Sequence, residues 1–72
     1  QAPAVWAAAL ANIGAALKEK GAAANDAAYL QQALEAFDQA VQVFTELDLE
    51  SSAKVVEIQR GQVLTLLAAH RT

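Results

Sequence analysis

Glu35 and Asp38 come nearest to a chemical pair in this sequence, because a spacing of three brings two carboxylates onto one face of a helix. Such pairs move protons or hold a hard cation where burial or further ligands perturb them. Here the surrounding face carries Gln31, Gln32, Gln39 and Gln42, so the pair reads as solvated surface. His70 is the single histidine, there is no cysteine, and no carboxylate stands at ligand spacing from it, which argues against a transition-metal site. The serines and threonines have no general base in pattern with them, so nucleophilic catalysis has no support. The expectation is a protein that is not an enzyme and that uses neither cofactor nor metal.

Charge placement narrows the partners. The net charge is −3, and Asp26, Glu35, Asp38, Glu46, Asp48 and Glu50 stand between Gly21 and Ala53 with no Lys or Arg among them. That stretch repels phosphate backbones. Lys18, Lys20, Lys54, Arg60 and Arg71 are too few and too scattered for a nucleic-acid footprint, so nucleic acid is not expected as a partner. The longest uncharged run, Gln1 to Leu17, is dominated by alanine and falls short of the ~20 strongly apolar residues a bilayer span needs. No basic segment precedes it as in a signal peptide. A membrane partner is not expected, and the absence of cysteine and of a leader favours the cytoplasm.

Seventy-two residues allow one unit, residues 1–72, at the lower edge of independent stability. Without disulfides, stability has to come from packing within or between chains. The missing initiator Met and the abrupt end point to a piece of a longer chain or array.

Periodicity predicts three helices and no strands. Pro3 suits a first helical turn. Trp6, Leu10, Ile13 and Leu17 then recur at spacings of four, three and four, giving a helix over about 3–20 with Lys18 and Lys20 at its negative end and Gly21 as a left-handed stop. Asn25 or Asp26 caps a second helix over about 27–47. Its apolar stripe is Leu30, Ala33, Leu34, Phe37, Ala40, Val41, Phe44 and Leu47. A short connection with capping residues leads to a third helix over about 51–69. Its apolar residues cover more than one stripe and so call for burial on two sides.

Leu10-x2-Ile13-Gly14-x2-Leu17 keeps the spacing of the tetratricopeptide first helix, W-x2-L-G-x2-Y, and Leu30, Ala33, Phe37 and Ala40 keep that of the second. Residues 6 to 45 thus resemble a tetratricopeptide repeat. Gly14, Ala33 and Ala40 would let helix backbones approach, with Leu17 and Phe37 filling the space between them. The chain departs from the family in a longer turn between the helices, in Thr45 where the closing proline belongs, and in the lack of a 34-residue period. A shift of 47 puts Asn12 on Gln59, Gly14 on Gly61 and Leu17 on Leu64. The resemblance implies an all-α fold of about one and a half repeats, an antiparallel α-hairpin plus a third helix in right-handed stacking.

It also implies a protein–protein interaction or scaffold role. First helices of such repeats line a peptide groove, which here would use Ala8, Ala11, Asn12, Ala15 and Lys18 with Ile58, Gln59, Gln62 and Thr65. Asn12 and Gln59 would hydrogen-bond a peptide backbone, and no basic clamp for a terminal carboxylate is present. Because a short array buries little, a homodimer is expected, with Trp6, Val56, Val63 and Leu67 as its self-association face. The alternative is a purely structural, closed three-helix oligomerisation module with no groove.

A second likeness is weaker. Leu47-Asp48-Leu49-Glu50-Ser51 before a Val-rich helix is superficially similar to the serine segment of phosphopantetheine carrier proteins. That serine follows Asp and precedes Leu, whereas Ser51 stands between Glu50 and Ser52.

Overall fold

The computed structural model describes residues 3–70, so Arg71 lies outside the described residues. Three α-helices follow in order: α1 (Pro3–Ala24), α2 (Ala27–Glu46) and α3 (Glu50–Ala69), with no strand among the described residues. The fold is all-α, a hairpin of α1 and α2 with a third helix.

Both turns end their helices by the same device. Asn25 takes the left-handed conformation (φ 51), the Asp26 N–H donates to the Gly21 carbonyl at 2.9 Å, and the Asn25 N–H donates to the Ala22 carbonyl. After α2, Asp48 (φ 62) plays the part of Asn25. The Leu49 N–H donates to the Phe44 carbonyl at 2.8 Å, and the Asp48 N–H donates to the Thr45 carbonyl. These are Schellman closures built on Asn and Asp, the non-glycine residues that best tolerate left-handed backbone. Asp26 also caps α2, its Oδ1 accepting from the Ala28 N–H at 2.9 Å. Leu49 precedes α3 with no side-chain cap, contrary to the expected polar connection.

Gly21 does not stop α1; it lies inside the helix and is buried. A Cβ at position 21 would stand 2.8 Å from Leu30 Cδ2, so the small residue serves packing rather than termination. The helix runs on to Ala24 and the turn to α2 shrinks to Asn25 and Asp26, removing the expected long connection. Lys18 and Lys20 therefore do not sit at the helix end: the last turn of α1 has no basic residue. Lys20 lies over the Tyr29 ring instead, with Nζ 5.2 Å from the centroid.

The buried line of α1 differs from the expected aliphatic stripe. Ala7, Gly14 and Gly21, seven apart, face α2, while Trp6 and Ile13 are each 53% exposed. The reason is volume. Leu30, Phe37 and Phe44, also seven apart, are the large buried residues of α2. Phe37 packs on Gly14 and Leu30 on Gly21, and the same antiparallel register sets Phe44 opposite Ala7. Small residues opposite large ones let the two backbones close up.

On α3, Ala53, Val56 and Val63 complete the core. Phe37, Leu30 and Val63 are its largest fully enclosed side chains, and burial of each stabilises the fold by about 1.5–3 kcal/mol. Val56 and Val63 are thus consumed inside one chain, 3% and 0% exposed, and Leu67 packs against the same core. Little of Val56 and Val63 is left for the expected self-association face, whereas Leu67 is partly buried.

Candidate functional site

Helices α1 and α3 both lie along α2 but scarcely touch each other. A closed bundle would make all three mutually adjacent, so the closed arrangement is not the one adopted. Two contacts tie α1 to α3 toward their C-terminal ends. Lys18 Nζ donates to Gln62 Oε1 at 2.6 Å, and His70 Nδ1 lies 3.2 Å from Asn25 Oδ1. Arg60 pairs with Asp38 and holds α3 to α2. Toward their N-terminal ends no hydrogen bond or ion pair among the described residues bridges α1 and α3, and a groove opens between them.

The groove has a volume of about 330 Å3. Ala8, Ala11, Asn12 and Ala15 form the α1 wall, Ser52, Val55, Val56 and Gln59 form the α3 wall, and Phe44 of α2 joins them at the base. Three of the α1 residues succeed one another by four and then three, Ala8 to Asn12 to Ala15, which keeps one face of a helix in line. Alanine there leaves width that larger side chains would fill. None of the lining residues is charged. Among the described residues, neither Asn12 nor Gln59 hydrogen-bonds through its side chain, so both amides are free to meet a ligand.

Of the residues expected to line a groove, Ala8, Ala11, Asn12, Ala15 and Gln59 are brought together. Ile58 and Gln62 are not part of the lining. Ile58 stands exposed at the rim, and Gln62 is occupied by Lys18. Phe44, Ser52, Val55 and Val56 line the groove without having been expected there. Ser52, Val55 and Val56 precede Gln59 by seven, four and three, so tracing one helical face back from Gln59 finds them. Phe44, buried at 6% exposed, reaches the groove from α2.

The chemistry available is shape, apolar contact and two amides. Among the described residues no group of acidic, histidine or cysteine side chains is placed to hold a metal ion. Glu35 and Asp38 lie exposed on α2, Asp38 paired with Arg60. No described helix is long and apolar enough to cross a membrane. A second depression of about 270 Å3 is lined by Thr45, Glu50, Ala53, Lys54 and Glu57 and shares no residue with the groove. Protein-family models, curated proteins and solved structures were all compared with the chain, and none of them matches it.

Proposed function

We propose that the chain is a protein–protein interaction or scaffold module, tetratricopeptide-like in plan, that receives its partner on the open face of α1 and α3. One observation carries this reading: two parallel helices rest on a third without closing, and the groove between them is uncharged and lined by small apolar residues with a pair of unsatisfied amides. A groove of this size accepts one large apolar side chain, and Asn12 and Gln59 can bond the backbone on either side of it.

The exposure of large apolar residues supports the same face. Val55, in the α3 wall of the groove, is 59% exposed, and Ile58 on the same helix is 62% exposed. The face of α2 that points to solvent carries glutamines and carboxylates. Mechanism on this reading is recognition by shape, with no bond made or broken.

Peptide selection on the folded chain tests the proposal. Ala8→Glu and Val55→Glu change exposed groove residues without touching the core. Binders of the native chain should lose at least about tenfold in affinity, or about 1.4 kcal/mol, for either variant. Binders indifferent to both, with their footprint on α2, would overturn the reading.

A further inference from the structure

We infer that a second copy of the chain packs on the face shared by α1 and α2, away from the groove, with its α1 antiparallel to the first about a twofold axis that lies in that face and crosses α1 at Ile13. Apolar side chains mark this face. Trp6 and Ile13 are each 53% exposed on it, and seven positions after Ile13 the same helical line ends in Lys20. Leu10 and Leu17 are half-buried between the line and α2, while Ala9 and Ala16, exposed, border it on the other side. Trp6, Leu10, Ile13, Leu17 and Lys20 alternate in steps of four and three, the spacing of a coiled-coil seam. At 1.5 Å per residue α1 is about 33 Å long, and two adjoining helices of about 10 Å diameter make a face of roughly 650 Å2. Two such faces bury roughly 1,300 Å2, within the range of specific, stable interfaces.

Charge chooses the occupant and its direction. Phe37 on Gly14 and Leu30 on Gly21 fix the antiparallel register of the hairpin, so Trp6 is level with Thr45 and the C-terminus of α2 lies at the Trp6 end of the face. That end carries Glu46 and Asp48. The opposite end carries Lys20, whose Nζ lies 5.2 Å from the centroid of the Tyr29 ring, on the side of α1 turned to α2. All three charged residues are exposed, and among the described residues none is in an ion pair. A copy laid on parallel to the first would set like ends together. An antiparallel copy sets the cation of each chain over the acidic end of the other, at both ends at once.

A twofold axis lying in the face and perpendicular to α1 turns the helix to face itself and reverses it, so positions equally far from the axis meet. With the axis at Ile13, that residue meets Ile13 of the other copy. Trp6 and Lys20 stand seven positions to either side, so each Lys20 comes over Trp6 of the other copy, a cation on an indole ring with Glu46 alongside. The same reversal brings Leu10 beside Leu17 of the other copy, and Ala9 beside Ala16, small on small, which lets the two helices close up. The interface is isologous and closes on itself. Trp6 and Ile13 do not line the groove, which stays open in the dimer.

Sedimentation equilibrium of the full chain from micromolar to millimolar concentration tests this, with circular dichroism confirming that each variant is folded. The native chain should dimerise. Ile13→Glu should weaken the dimer at least about a hundredfold, because two carboxylates then meet on the axis. Lys20→Gln should weaken it about tenfold through the loss of two cation–aromatic contacts, and Ile58→Glu should leave it unchanged. The chain has no cysteine, so introduced thiols read the register. Ile13→Cys should form a disulfide with itself on mild oxidation. Trp6→Cys and Lys20→Cys should crosslink only when mixed with each other, since the reversal holds like residues at those positions about 21 Å apart. A monomer at every concentration overturns the inference and leaves the groove reading to its own peptide test. So does a dimer broken by Ile58→Glu and indifferent to Ile13→Glu, or one in which Trp6→Cys crosslinks to itself.

Discussion

The ring of Phe37 lies on the backbone of Gly14, so close that a Cβ at position 14 would stand 2.7 Å from Cε1 and 2.8 Å from Cδ1. Phe37 is fully buried and has no room to retreat. Two effects of opposite sign meet at this glycine. Replacing it with alanine gains about 1 kcal/mol of helix propensity but overpacks the core at a cost of about 1–3 kcal/mol. Gly14→Ala should therefore lose stability, lowering the melting temperature by several degrees. Gly61 is the control, because nothing lies within 4 Å of a Cβ placed there. Gly61→Ala should gain about 1 kcal/mol. Urea unfolding of the two variants reads the signs directly; equal gains would mean that α1 and α2 can separate freely.

Asp26 joins two helices at once. Its N–H donates to the Gly21 carbonyl in closing α1, and its carboxylate accepts from the Ala28 N–H in opening α2. Asp26→Ala keeps the backbone bond and removes the cap, so it should cost about 1 kcal/mol. Asp26→Asn keeps an acceptor and should cost little. A loss as large in the asparagine variant would show that the carboxylate's charge at the helix N-terminus, not its hydrogen bond, is what stabilises α2.

How far the sequence displays this architecture depends on residue size. The amphipathic pattern of α2 is plain because large apolar residues mark its buried side, Leu30, Phe37 and Phe44, against a wet side of glutamines. In α1 the relation is inverted: the buried positions are the smallest residues, Ala7, Gly14 and Gly21, and the conspicuous Trp6 and Ile13 point outward. Hydropathy weights a residue by its own apolar bulk, whereas a helix packed against aromatic residues is selected for what it leaves empty. Val56 and Val63 against Val55 and Ile58 show the same limit on α3. All are alike in type, and only the placement of α2 decides which pair is buried. The groove was more legible, since Ala8, Asn12 and Ala15 share a face by spacing alone. Gln62 fell outside it because the Lys18 ammonium competes for its carbonyl, a contact between residues far apart in sequence.

The Arg60–Asp38 pair fastens α3 to α2 at the surface, with side chains 39% and 52% exposed. Water and salt screen a pair of this exposure, so Asp38→Asn should cost less than about 1 kcal/mol, shrinking further in high salt. Val63→Ala, which empties part of the core nearby, should cost at least about 2 kcal/mol at any ionic strength. Chemical denaturation in urea, run at low and high salt, separates the two. A large salt-independent loss in Asp38→Asn would show that the pair, rather than the apolar seam, holds α3 in place.

Trp6 reports which side of α1 an assembling partner covers. Its ring is half exposed on the edge of α1 that carries Ile13, and it does not line the groove. Because the indole is the only one in the chain, its fluorescence reads that edge alone. If copies meet across this edge, acrylamide should quench Trp6 less well in the dimer than in the monomer, and its emission should shift to the blue as concentration rises. An indole introduced on α3 by Ile58→Trp in a Trp6→Phe background should behave oppositely, its emission and its access to quencher staying put as dimer forms. Reversal of these two responses would assign the covered surface to the open face of α1 and α3, where Ile58 would then be the anchor.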